Sequence, residues 1–395
     1  MEKTKKLLFA AKLFLLPAAV LFLASCGSLK TENASGAGRR VPAKKIGLYS
    51  DEGCAGNGVA FLARFAARSP QYELVLLDRS DMRPEVLEKL DVFVSPGGGS
   101  AKQLKSMGEA GRKALKEYIE KGGNYLGFCA GCYNTLSRKD RLELLPFDWL
   151  PNASGKTAVL PVDVNKRGGE VLGIKEGRYY ARYSGGPVMR KGKETGKGRG
   201  EALAVFKNSI GKPDRAPASF LDTPAMIFGN YGKGKVLGVS FHPEYLEISS
   251  VLTAGCFYAL TGVKPVPVIP ERSFRCCRAG YLTSYRAGLG KSGIKNMLEL
   301  DKEKDIDVQF VMGAELEAGI LHHLDVLLLP DGPEKGYKTV CGGGNAFFRK
   351  EILAFLDRGG KVLACKTAAK FLPAHKNLLV VEDDASFASR IRELR

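Results

Sequence analysis

The stretch that decides the fold is GGNYLGFCAGCYNTL, Gly122–Leu136. A short apolar run, Asn124 to Phe128, leads without a linker into Cys129, and the residues after it read as a helix. A strand that breaks sharply into a helix holds the turn residue in a strained conformation and tolerates only small neighbours. Gly127 and Gly131 stand two residues to either side of Cys129, and Ala130 is small. Such a turn exposes its side chain at the carboxyl edge of a sheet. It also sets the sulfur at a helix N-terminus, where the dipole and free N–H groups favour thiolate. The pattern reads as a nucleophile turn with cysteine where serine is more usual. Cys132, three residues on, leaves open a dithiol pair or half of a metal clip.

Outward from this stretch the chain alternates strand and helix. Lys45–Tyr49, Tyr72–Leu77 and Asp91–Val94 read as strands, and Val59–Ala67, Glu85–Leu90 and Glu109–Lys121 as helices. The third strand ends in Pro96-Gly97-Gly98-Gly99-Ser100, and the helix before the opening stretch is closed by Gly122-Gly123. Near-continuous apolar strands separated by helices imply a parallel sheet covered on both faces. After Leu150 short β segments follow: Thr157–Val164, Arg178–Tyr183, Ala202–Phe206, Ala225–Phe228 and Lys235–Phe241, then a helix over Leu246–Leu260.

Three prolines in VKPVPVIP, Val263–Pro270, make a stiff linker and a domain boundary. Beyond it the first unit repeats. LDVLLLPDGP (Leu324–Pro333) parallels LDVFVSPGGG (Leu90–Gly99), and FRKEILAFLDRGGKVLACKTA (Phe348–Ala368) parallels GRKALKEYIEKGGNYLGFCAG (Gly111–Gly131). GLGKSGIKNMLEL likewise parallels GCAGNGVAFLARF. Aligning the Gly-Gly pairs puts Lys366 where Cys129 stands and Cys365 opposite Phe128, so the second copy keeps the scaffold and lacks the thiol. The domains expected are 44–264 and, after a linker at 265–274, a degenerate repeat at 275–395.

A thiol nucleophile needs a base and a group to orient it. Of the four histidines, His322 and His323 read as a solvated helix end or loop. His242 sits in GVSFHPEYL directly after an apolar strand, with Glu244 two residues on. Positions i and i+2 of an extended segment share a side, so Glu244 reaches the ring and fixes its tautomer. Charge developing on a substrate carbonyl needs donors. The Ala130 N–H is one, and the glycine turn, Gly98 and Gly99 within it, is the natural second. Zinc needs further ligands, and none stands at zinc spacing near Cys129 and Cys132. A disulfide masking Cys129 stays open, as does the place of Cys54, on the loop after the first strand. No cofactor is expected.

The first residues read as a processing segment. MEKTKK is a basic start, LLFAAKLFLLPAAVLFLA is apolar, and Leu23-Ala24-Ser25 precede Cys26. This resembles a bacterial lipoprotein signal over residues 1–25, with Cys26 lipidated and residues 26–43 a flexible tether. The expected setting is the cell envelope, membrane-anchored and facing the periplasm or exterior, where disulfides are permitted. The scattered spacing of the remaining eight cysteines is no disulfide framework. The chain has 395 residues, 45% of them hydrophobic and 26% charged, a globular composition with room for two or three domains. Residues 1–25 carry four Lys and one Glu, so the remainder keeps +15 of the formal +18. A basic surface suits anionic envelope polymers or lipid headgroups. Lys and Arg are spread along the chain without interleaved aromatics, which argues against nucleic acid.

G-x-C-x-G, followed by F-H-P-E and preceded by a P-G-G turn, resembles the class I glutamine amidotransferase superfamily. The closer resemblance is to the biotin-protein ligase N-terminal-like (BPL_N) family. It is carried by SPGGG, GFCAGCY, YYARYSGGPVMR (Tyr179–Arg190) and SFHPEY, and covers about Lys44 to Gly262. It implies an α/β, flavodoxin-like three-layer sandwich with a mainly parallel sheet, here followed by a second, smaller degenerate copy. It also implies a Cys129–His242–Glu244 triad, with Tyr183, Ser184, Gly185 and Gly186 lining the pocket. It does not imply biotin ligation, since neither a ligase catalytic domain nor its nucleotide-binding signature is present. The expected activity is hydrolysis of a small amide or peptide-like substrate through a thioester. The alternative is a catalytically silent binding or scaffold lipoprotein. No partner protein is named by the sequence.

Overall fold

The computed structural model describes residues 42–394 except 151–156, 195, 209–219, 246–248, 284–289, 313–314, 317–318 and 341–345. The expected signal segment, Cys26 and most of the tether lie outside the described residues.

The first lobe begins β1 Lys44–Tyr49, α1 Gly56–Ala67, β2 Tyr72–Leu77, α2 Pro84–Leu87, β3 Val92–Ser95, α3 Ser100–Lys121, β4 Asn124–Phe128 and α4 Ala130–Asn134. It continues β5 Phe147–Trp149, β6 Ala158–Val164, α5 Lys166–Leu172, β7 Gly177–Tyr183, β8 Met189–Lys191, β9 Gly198–Phe206, β10 Pro224–Tyr231, β11 Gly234–Val239 and α6 Ser250–Thr261. The main sheet has nine strands in the order β2-β1-β3-β4-β11-β10-β9-β6-β7. Its first five are parallel, in the spatial order of flavodoxin-like folds. The rest are antiparallel, and β5 and β8 form a separate ribbon.

The apolar strands are buried on both faces because alternate side chains enter different cores. Leu126 and Phe128 pack with Val59, Leu62 and Phe257 of α1 and α6. Tyr125 packs on the other face with Leu104, Leu115 and Ile119 of α3. This is a three-layer sandwich, and each such side chain adds roughly 1.5–3 kcal/mol on burial. Helix α3 starts nine residues earlier than its periodicity suggests, directly from the glycine turn, and is broken at Gly108, where φ is 69° and ψ 177°. The short α5 and the β5–β8 ribbon carry no pattern that marked them in the sequence.

The second lobe comprises β12 Cys277–Leu282, α7 Lys291–Lys302, β13 Ile306–Val311, β14 Val326–Leu329, α8 Glu334–Val340, α9 Ala346–Asp357, β15 Lys361–Cys365, α10 Lys366–Ala369, β16 Leu378–Val381 and α11 Phe387–Glu393. Its parallel sheet runs β13-β12-β14-β15-β16, the order of the first lobe's parallel strands. Cys365 pairs with Val381 as Phe128 pairs with Val239. That register puts Lys366 and Asp384 in the places of Cys129 and His242.

Residues 42–395 form one compact unit, so the two sheets are lobes on either side of the Pro-rich segment. Asp301 of α7, a buried carboxylate, holds them together. Arg68, which caps the C-terminus of α1, donates to it through Nε and Nη2 at 2.9 and 2.8 Å, Arg272 at 3.1 Å, and Arg64 of α1 lies 3.4 Å away. Arg64 also caps the Phe310 ring at 3.4 Å. Between the carboxyl edges of the lobes opens a cavity of about 820 Å³, with Ser50–Cys54 and Gly99 on one wall and Gly290 and Gly336 on the other.

Candidate active site

Cys129 is the residue between β4 and α4, with φ 49° and ψ −100°. Its N–H donates to Val239 O at 2.8 Å, tying the turn to β11. The flanking glycines are required by close approach: a Cβ on Gly127 would lie 2.3 Å from Gly131 O, and one on Gly131 would lie 2.1 Å from Ser95 O. The turn therefore closes only with hydrogen at both positions. Cys129 is 5% exposed, and its Sγ donates to Ser184 O at 3.6 Å.

His242 follows β11 and is 4% exposed. Its Nδ1 is 2.8 Å from Glu244 Oε1. Glu244 reaches it from a 3₁₀ turn, Pro243–Tyr245, and not from the extended segment that the spacing suggests. The other carboxylate oxygen, Oε2, is buried without a partner among the described residues. Tyr245 stacks on the imidazole, ring centres 4.6 Å apart and planes 6° from parallel. On another side lies Gly97, whose Cβ, if present, would stand 2.5 Å from His242 Cε1. Burial alone would lower the His242 pKa. The Glu244 carboxylate and the Cys129 sulfur outweigh it and raise the value from 6.5 to about 10. A raised value means that the ring keeps its proton at neutral pH.

The two glycines expected as donors differ. Gly99 N–H is spent on Gly53 O at 2.7 Å, and Gly97 O accepts from Ala55 N–H at 2.8 Å, so Gly99 is corrected out of the donor set. Between them Gly98, at φ 141°, is bridged to Cys54 without sharing those bonds. The peptide groups of paired strands alternate in direction, so Gly98 N–H is turned away from the Cys54 loop. Ala130 opens α4, where a first-turn N–H has no intrahelical acceptor.

The four residues expected to line the pocket divide. Ser184 meets the sulfur through its carbonyl, and Gly185 is exposed at the rim. Tyr183 is a correction: its ring is buried against Phe206 and Phe220, and its hydroxyl donates to Gly186 O at 2.7 Å. Gly186 is packed where a Cβ would strike Ser240 O. Both shape the 184–186 loop from beneath. Cys132 is also turned away. Its sulfur contacts Met189 Sδ at 3.6 Å in the opposite core, burial pushes its thiol up, and both cysteines are free. Cys54 Sγ donates to Tyr49 O at 3.5 Å. Among the described residues no group of three or more His, Cys, Asp or Glu could hold a metal ion.

Gln103 was not legible as a site residue. This fully buried side chain donates to Pro96 O at 3.0 Å and accepts from Ser95 Oγ at 3.1 Å and from Asn134 Nδ2 at 3.0 Å. It thereby fastens the glycine turn to the helix that carries Cys129. Nothing in the local sequence SAKQLKSM distinguishes it from a solvated helix residue.

Solved structures similar to this chain include a protein described as ThuA-like from Bacteroides uniformis, with TM-score 0.40 and 16% identity over 57% of this chain and 94% of that one. The PurLQS structure from Thermotoga maritima gives 0.39 and 12%, over 56% and 98%. A β-galactosidase from Bacillus circulans gives 0.36 and 13%, over 58% of this chain and 32% of that one. No curated protein matches the chain. Residues 45–140, from β1 to beyond the Cys129 turn, match the family described as Biotin-protein ligase, N terminal, and it is to this family that the first lobe is similar.

Proposed function

We propose that the chain is a cysteine-dependent hydrolase of small amide or peptide-like substrates. The observation that carries the reading is the strained Cys129 turn, set against a buried His242–Glu244 pair. In this mechanism the Cys129 sulfur attacks the amide carbonyl carbon, and the oxyanion is received by the N–H groups of Gly98 and Ala130. The C–N bond breaks as imidazolium His242 gives its proton to the departing amine, leaving a thioester. Neutral His242 then takes a proton from water, which attacks the thioester and releases the carboxylic acid and the thiolate. Glu244 orients the ring throughout and stabilises its charged form. The setting we propose is the cell envelope, with a lipid on Cys26, a reading supported by the sequence MEKTKK…LASC.

Alkylation by iodoacetamide near neutral pH, mapped by peptide mass spectrometry, tests this reading. Selective reaction at Cys129, lost in His242→Ala, is the expected result. Equal, slow labelling of every thiol would leave the second reading, a binding lobe without turnover. That reading is favoured by the low exposure of Cys129 and by the second lobe, which keeps the scaffold with Lys366 at the nucleophile's place.

A further inference from the structure

We infer that Arg182 binds a carboxylate on the substrate, so that the amides hydrolysed are ones bearing a free acid group; this rests on the hydrolase reading above. Arg182 is the penultimate residue of β7. Its main chain forms an isolated antiparallel bridge with His242, whose N–H donates to Arg182 O at 2.7 Å. Residues paired in this way present their side chains on one face, so Arg182 stands beside the imidazole. Its guanidinium is 5.4 Å from the centre of the Tyr245 ring, the ring stacked on His242. Two residues on, Ser184 O meets the Cys129 sulfur. Guanidinium, imidazole and sulfur thus share one rim.

The guanidinium has no hydrogen bond or ion pair among the described residues, and its Nε is shut off from solvent without an acceptor. Arg178, four residues earlier on the same strand, shows the contrast, because it grips Asp163 through Nε at 2.8 Å and Nη2 at 3.0 Å. Among the described residues no carboxylate pairs with Arg182. Its neighbour on β6 is Val159, 51% exposed, and Glu244 is committed to His242. A buried, unpaired guanidinium N–H is costly, and the planar fork suits a two-oxygen acid. On this reading the acceptor is the substrate's acid group, and the open Val159 side leaves room for it.

Iodoacetate and iodoacetamide test this on the full chain. Both react by the same displacement, sulfur attacking the methylene carbon as iodide leaves, and they differ only in acid against amide. The ratio of their rates at Cys129 cancels any change in the thiol itself. Arg182→Gln is expected to lower the iodoacetate-to-iodoacetamide ratio by about tenfold or more, the weight of one charge-assisted hydrogen bond. Arg182→Lys, which keeps the charge without the fork, is expected to fall between. In the unaltered protein, glutarate is expected to protect Cys129 from iodoacetamide and glutaramide is not, which needs no variant to fold. An unchanged ratio and equal protection, with Cys129 still labelled selectively, overturn the role of Arg182 and leave the nucleophile standing. Failure of either reagent to select Cys129 in the unaltered protein overturns both.

Discussion

Cys129, Glu143 and Asp222 are the non-glycine residues with positive φ among those described, and Cys129 is the one at a strand-to-helix junction. Strain of that kind costs on the order of 1–3 kcal/mol and persists only where the surroundings impose it. Here they are the Gly127 and Gly131 contacts, which is why the turn could be read from spacing alone. The His242–Glu244 pair was legible for a weaker reason, since closeness in sequence suggested contact while the actual geometry is a 3₁₀ turn. The raised His242 pKa fixes a pH dependence. Because the folded value, about 10, lies above 6.5, the ring's contribution to stability is fully present below about pH 6.5 and is lost as pH rises toward 10. Thermal unfolding of wild type and His242→Gln should therefore differ most near pH 6 and converge toward pH 10. A constant difference across that range would contradict the ion pair.

At the scale of elements, α3 and α4 meet at the glycine turn, and Gln103 joins them. Gln103→Leu leaves Pro96 O and the Asn134 amide without their partner inside the protein, at about 1–3 kcal/mol for each buried group left unsatisfied. The expected outcome is a loss of roughly 2 kcal/mol in denaturant unfolding, with a slower iodoacetamide reaction at Cys129 and an unchanged circular dichroism spectrum. Wild-type labelling in this variant would mean that the turn holds itself. The parallel strands of both lobes were legible because they are buried on both faces and so read as continuous apolar runs. The fate of individual N–H groups was not. Gly99 looked equivalent to Gly98 until the Cys54 loop took its proton. Tyr183 looked like part of a polar rim, whereas alternation along β7 turns it into the core and sends Arg182 to the rim. In the second lobe Lys366, at the place of Cys129, opens α10 and is not among the described non-glycine residues with positive φ. Lys366 pairs there with Glu382 at 2.5 Å, so the duplicated junction has lost its strain along with its thiol.

For the whole molecule, the decisive contact is the one between lobes. Asp301→Ala removes a buried carboxylate that compensates three guanidinium groups, a change worth about 3–5 kcal/mol when one partner of a buried pair is deleted. Calorimetry should show the thermal transition lowered and split in two as the lobes unfold separately. A single transition at the wild-type temperature would show that the apolar packing between α1 and α7 suffices. Lobe docking was invisible in the sequence, because arginines at 64, 68 and 272 read as surface charge until their common partner is located. The direction of β1 has a further consequence. The chain enters it at Lys44, on the amino edge of the sheet, whereas Cys129 lies beyond the carboxyl ends, a strand length of about 20 Å away. Entry of the chain into the first lobe and the reactive turn are thus held at opposite ends of the same strands, so a change at Lys44 is felt at Cys129 only through the length of the sheet.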